Sequence, residues 1–208
     1  MSEIVVRELV ADDLAATARL HIDAFPGSAL TKLGVEAVRR YYEWLLTGPH
    51  QTTALAGVIE NELAGFVFGG TFNGAMTGFL RRNRRYLAAR VLTHPWLVTT
   101  PLFRERIALA GRLLLRRPRR SSPEPARSPA FGILAIAVGP KWQGCGVGKQ
   151  LMIRAERIAI ERGFERMQLT VASWNQQAIE FYLRGGWEKA VGEGSWTGAM
   201  TKPLVSRE

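Results

Sequence analysis

A chain of 208 residues that is 47% apolar can build one well-packed domain and is short for two, so a single domain over residues 1–208 is expected. The only cysteine, Cys145, excludes an intrachain disulfide, His21, His50 and His94 stand too far apart for a paired-ligand zinc site, and no stretch approaches the roughly 18 uninterrupted apolar residues that span a bilayer. The formal charge of +10 is local: between Arg81 and Arg127 thirteen Arg stand against Glu105 and Glu124, a net of +11 that leaves the remainder near neutral.

The N-terminus carries Glu3, Asp12 and Asp13 around a short apolar run in place of a basic leader, which with the lone cysteine predicts a soluble protein of the reducing cytoplasm. Ile4 to Leu9 reads as a strand, and Asp12-Asp13 favours a helix start leading into Leu14, Ala18 and Ile22, stopped by Pro26-Gly27. Val35, Val38, Tyr42 and Leu45 fall at helical intervals within Gly34 to Leu46, before Gly48-Pro49. Thr52 to Ile59 and Leu63 to Thr71 are β-rich runs around Glu60-Asn61-Glu62, a hairpin signal. Residues 73–129 hold the Arg-rich stretch, with helices expected over about Gly78 to Leu92 and Pro101 to Leu115 and a linker-like Ser/Pro-rich tail from Pro118 to Pro129.

Phe131 to Val138 is a continuous apolar run of strand length, followed by a Gly-rich stretch that opens a helix with Val147, Leu151, Ala155 and Ile158 on one face. Met167 to Val171 reads as a strand and Asn175 to Leu183 as a short helix, and Trp187 to Val191 and Trp196 to Leu204 close the chain as strands around Gly192 and Gly194. The alternation of strands and helices predicts an α/β or α+β fold with a central mixed sheet.

The chemistry of the Gly-rich stretch, Gln143-Gly144-Cys145-Gly146-Val147-Gly148-Lys149, is anion binding, because glycines let backbone amides converge where a helix begins and its dipole is positive. It is not a P-loop, which would need Gly where Gln143 stands and Ser or Thr where Gln150 stands. Nor is it a dinucleotide fingerprint begun at Gly144, whose third glycine would fall on Lys149 and whose acidic residue would fall near Gln168. Taken alone, a plain helix-packing turn stays open. However, Gln143, Gly146 and Gly148 after an apolar strand and Pro140 resemble the coenzyme A loop of the GNAT (GCN5-related N-acetyltransferase) superfamily, Gln/Arg-x-x-Gly-x-Gly/Ala. Downstream, Asn175, Ala178, Phe181, Tyr182, Gly186 and Trp187 resemble that family's Asn-x-x-Ala-x-x-Phe-Tyr-x-x-x-Gly-Phe/Trp segment. The resemblance is clear over Phe131 to Trp187 and extends to the first 72 residues in element order only.

The resemblance implies a mixed, mostly antiparallel sheet of about seven strands flanked by helices, and transfer of an acyl group, acetyl above all, from acetyl-CoA to a primary amine without a metal. It places pantetheine on the backbone of Ile136, Ala137 and Val138, the pyrophosphate on amides from Gln143 through Gly144, Cys145, Gly146, Val147, Gly148 and Lys149, and further contacts at Asn175, Ala178 and Tyr182. Lys149 is either a phosphate contact or a solvated helix residue, and Asn175 is a helix N-cap, a ligand contact or both. Tyr182 is the candidate acid for the departing thiolate, since a phenol with reference pKa near 10 holds its proton at neutral pH. Cys145 falls beside the pyrophosphate and away from the acetyl group, which favours direct transfer over an acyl-enzyme. Many family members carry a basic carboxylate on the strand before the loop, but Phe131, Ile133, Leu134, Ala135 and Ile136 supply none; His21, Asp23, Glu36 and Glu43 are the remaining candidates. A non-catalytic acyl-CoA-binding module would keep the same loop, and the intact Tyr182 argues against it.

Relative to the family, the Arg-rich segment is an insertion between the third and fourth strands. Three readings stand: recognition of an anionic amine such as a nucleotide-linked amino sugar, docking on a membrane or polymer, or a solvated arginine face packed on the core or on a second subunit of a homodimer. No sequence-specific nucleic-acid motif accompanies it.

Overall fold

The computed structural model describes residues 3–72, 74–96, 130–190 and 196–204. In chain order the elements are β1 (Val5–Glu8), α1 (Leu14–Ala24), α2 (Ala29–Lys32), α3 (Val35–Thr47), β2 (Gln51–Ile59), β3 (Glu62–Thr71), α4 (Ala75–Arg82), α5 (Arg84–Thr93) and β4 (Phe131–Val138). Then follow α6 (Val147–Glu161), β5 (Arg166–Thr170), α7 (Gln176–Arg184), β6 (Glu188–Lys189) and β7 (Ala199–Pro203). Contacts divide the chain into two compact units, one formed by the strands with α6 and α7, the other by α1 to α5.

The first unit is a seven-stranded sheet of order β1-β2-β3-β4-β5-β7-β6. Every neighbouring pair runs antiparallel except β4 and β5. This is the mixed, mostly antiparallel sheet the sequence leads one to expect. The β2–β3 connection is a two-residue hairpin, tighter than its three polar letters suggest: Ile59 pairs Glu62, and Glu60 and Asn61 both take positive φ, 51° and 63°, as a type I′ turn demands. The core gathers Leu55, Val67, Phe131, Leu151, Ala155, Met167, Trp187 and Met200. Helix α6 lies close on the sheet because Gly57 and Gly65 offer no Cβ; one there would sit 2.8 and 3.0 Å from Val147 Cγ1. The closing strands are shorter than the sequence suggests, since Trp187 is spent as a buried core residue before β6 begins, and Gly192 and Gly194 lie outside the described residues.

In the second unit α1 packs on α3 through Ala18, Leu20, Val38, Tyr42 and Leu45. The expected helix over Gly78 to Leu92 is two helices, α4 and α5, broken at Asn83, whose φ of −103° and ψ of 14° leave the helical region while its side chain donates to Phe79 O at 3.1 Å. The short α2, capped by Ser28 accepting from Thr31 N at 3.0 Å, has no counterpart in the sequence pattern because four residues carry no periodicity. Trp44 Nε1 donates to Ala75 O at 2.8 Å, Arg90 Nε donates to Leu33 O at 2.9 Å, and the Arg40 guanidinium covers the Tyr86 ring at 4.5 Å, so the first part of the insertion is tied to α2 and α3. The expected helix over Pro101 to Leu115 and the tail from Pro118 to Pro129 lie outside the described residues.

Candidate active site

Strand β4 pairs β5 only at its start, Phe131 with Met167 through Ile133 with Leu169, whereas its pairing with β3 continues to Val138 opposite Gly65. Beyond Ile133 one edge of β4 is therefore unpaired and the sheet forks. Gly139 N donates to Ala64 O at 2.8 Å, so alternation along the antiparallel ladder turns the main-chain groups of Ile136 and Val138 to the unpaired side.

At the end of the fork the chain turns through Gly144 and Gly146, with φ of +81° and +92°, a region where only glycine is unstrained. Gly146 caps α6 in the left-handed conformation, and the first helical bond is Gln150 N to Gly146 O at 3.0 Å. The amides of Val147, Gly148 and Lys149 thus precede the hydrogen-bonded ladder at the positive end of a 15-residue helix. A Cβ on Gly148 would meet Val138 Cγ2 and Phe181 Cζ at 3.5 Å, the bare backbone leaving α6 near β4 and α7.

Fork and loop bound a cavity of about 450 Å³. Of the residues named from sequence, Ile136, Ala137, Val138, Gln143, Gly144, Gly146, Val147, Gly148, Lys149, Asn175, Ala178 and Tyr182 line it. Cys145 does not; it is exposed, its Sγ turned to Gln143 O at 3.9 Å. Trp142, Gln177, Phe181 and Arg184 also line it and were missed as site residues, although Gln177 and Phe181 fall inside the quoted motif. Gln143 Nε2 donates to Val138 O at 3.4 Å, folding the loop back over the strand end, and Asn175 Oδ1 caps α7 by accepting from Ala178 N at 3.1 Å.

Tyr182 is 7% exposed, its ring edge-on to Phe181 at 5.2 Å and tilted against Trp187 at 5.8 Å. Burial pushes its phenol up to about 12, so it stays protonated throughout the neutral range.

The four candidate bases all belong to the helical unit. Both ring nitrogens of His21 are engaged, Nδ1 with Tyr42 Oη at 2.8 Å and Nε2 with Ser28 Oγ at 3.4 Å, and burial lowers its pKa to about 4. Glu36 is held near 2, first by its hydrogen bond to Arg39 and also by Arg40, and Glu43 meets Arg39 at 3.3 Å. Asp23 is exposed.

A mostly antiparallel sheet that forks beside a glycine turn opening a helix is the architecture of the acyl-CoA-dependent transferases the sequence resembles. Residues 14–187 match the profile of the acetyltransferase (GNAT) family, and the chain belongs to that family, whose members use acetyl-CoA. Its fold is shared by PaiA N-acetyltransferase from Thermoplasma acidophilum in complex with coenzyme A, at 15% identity and a TM-score of 0.58 over 97% of this chain and 99% of that one. It is shared too by the ribosomal-protein-S18-alanine N-acetyltransferase from Escherichia coli, at 15% identity and a TM-score of 0.57 over 99% and 97%. A curated relative, thialysine N-epsilon-acetyltransferase of Bos taurus, is 30% identical over 47 residues, which is 23% of this chain and 28% of that protein, well under two thirds of its length.

Proposed function

We propose that the protein transfers acetyl directly from acetyl-CoA to the primary amine of a small molecule, with Tyr182 as the acid. In this reading pantetheine runs along the unpaired edge of β4 at Ile136 to Val138, and the pyrophosphate rests on the amides that open α6. The neutral amine attacks the thioester carbonyl; the C–N bond forms, the C–S bond breaks, the departing thiolate draws on the Tyr182 proton through a hydrogen bond, and solvent returns to the phenol any proton it gives up. Tyr182 suits that step because its phenol keeps its proton at neutral pH and is a ready hydrogen-bond donor to the thiolate as its charge develops. The excess proton of the amine leaves to solvent water; the four candidate bases belong to the helical unit. Of these, His21 is neutral at pH 7 but occupied at both nitrogens, and the carboxylates of Glu36 and Glu43 are paired with arginine.

The observation that carries this reading is the coincidence, in one cavity, of the left-handed glycine turn, the unpaired β4 edge and a buried protonated phenol. The test is acetyl-CoA turnover across neutral, cationic and phosphorylated amines, with Tyr182→Phe beside the parent. The expected result is amine-dependent thiol release in the parent and a kcat lower by about a hundredfold in Tyr182→Phe with KM for acetyl-CoA little changed. CoA binding with no amine-accelerated thiol release would leave a binding module instead.

A further inference from the structure

We propose that the α4–α5 pair is a docking surface for an anionic lipid bilayer. The sequence contains no Asp or Glu between Glu62 and Glu105, yet four arginines crowd the junction of the two helices: Arg81 and Arg82 end α4, and Arg84 and Arg85 begin α5, on either side of the buried Asn83. Arg84 and Arg85 occupy the first turn of α5, where unpaired amides and the helix dipole are already positive, and no acidic residue shares that turn. Cations at that end oppose folding of the helix, and a layer of anions outside it removes the penalty.

The arginines divide into two sets. Arg90 is fixed on Leu33 O and Arg82 stands over the Trp44 ring at 5.7 Å, whereas Arg81, Arg84 and Arg85 point to solvent, and among the described residues no carboxylate forms an ion pair with them. Burial along α5 shows the same polarity. Tyr86, Leu87, Arg90 and Val91 are half-buried, while Arg84, Arg85, Ala88, Ala89 and Leu92 form the outward face. That face is cationic at one end and apolar at the other, where Leu92 is 81% and the following Trp96 59% exposed. A soluble phosphorylated ligand or a nucleic acid accounts for the guanidiniums and gives no role to Leu92. A lipid interface accounts for both, with guanidiniums at headgroup phosphates and Leu92 and Trp96 at the acyl boundary.

The experiment is co-sedimentation of the 208-residue protein with vesicles of phosphatidylcholine alone or mixed with phosphatidylglycerol, at low and high salt. Binding is expected only with phosphatidylglycerol and should weaken with salt. The triple variant Arg81→Gln/Arg84→Gln/Arg85→Gln should lose about a hundredfold in vesicle affinity, at about fivefold per arginine. Leu92→Ser, which leaves the charge unchanged, should also weaken vesicle binding. Both variants should retain the parent's thermal transition and its turnover of a neutral soluble amine. No binding to phosphatidylglycerol, or a triple variant that binds like the parent, overturns the proposal. So does parental vesicle binding by Leu92→Ser together with equally tight binding of duplex DNA by the parent, which marks a general polyanion surface. A triple variant whose defect is confined to KM for a phosphorylated amine assigns the arginines to the acceptor instead.

Discussion

His21 illustrates how one side chain changes meaning between sequence and fold. In sequence it is one of three histidines and a candidate base; in the structure it is buried between α1, α3 and the Ser28 turn as the middle of a hydrogen-bonded chain. The network assigns its direction: Tyr42 donates to Nδ1, Nε2–H donates to Ser28 Oγ, Ser28 donates to Thr31 Oγ1 at 2.9 Å, and Thr31 donates to Phe25 O at 2.7 Å. The chain ends on a backbone carbonyl, which makes it a structural tie between helices. Since burial lowers the folded-state pKa from 6.5 to about 4, the unfolded chain binds the extra proton between those values. Stability from this group is therefore fully present above pH 6.5 and is lost as pH falls toward 4, by about 3 kcal/mol in all. Urea unfolding across that range should show the loss in the parent, and a flatter pH dependence in His21→Gln. Equal slopes would mean that His21 is not buried neutral. The placement of Tyr182 on one helix face with Ala178 was legible from sequence, because its spacing from Asn175 and Ala178 fixes that face; its confinement by Phe181 and Trp187 required the fold.

At the scale of elements, the turn into α6 depends on backbone conformation more than on side chains. Gly146→Ala retains every contact of the wild-type residue, yet places a Cβ at a φ of +92°; the expected cost is about 1–2 kcal/mol of stability, with weaker CoA binding as the amides shift. Gly148→Ala meets only ordinary contacts at 3.5 Å and should unfold close to the parent temperature, so the pair separates conformation from bulk. Near-equal stability of the two variants would show that the left-handed turn is not required. The opposite sign is expected in α5, where Arg85→Glu replaces a cation by an anion at the positive end of the helix and should stabilise by about 0.3–1 kcal/mol, read as a rise in Tm. The break at Asn83 could not be seen in the sequence, since the apolar spacing runs through it and Asn83 leaves the helix by bonding Phe79 O. Nor could the shortness of β6 and β7: Trp187 satisfies a strand pattern equally well as a core plug.

For the whole molecule, the mixed, mostly antiparallel sheet and the family were readable because they rest on two motifs, the glycine turn and the Asn-to-Tyr segment, which α6 and α7 bring to the same cavity, whereas the strand order required the fold. The helical unit was readable only as a list of helices, because arginine-to-ring and arginine-to-carbonyl contacts such as Arg40 on Tyr86 and Arg90 on Leu33 O leave no periodic trace. The proposed transfer depends on acetyl-CoA lying against the amides that open α6. Titrating CoA into ¹⁵N-labelled protein and following backbone amide resonances tests this directly. The predicted result is that Val147, Gly148 and Lys149 move most and downfield, as donors to phosphate do, with Ile136 and Val138 moving beside them. Saturable CoA binding that leaves these five amides in place would contradict it.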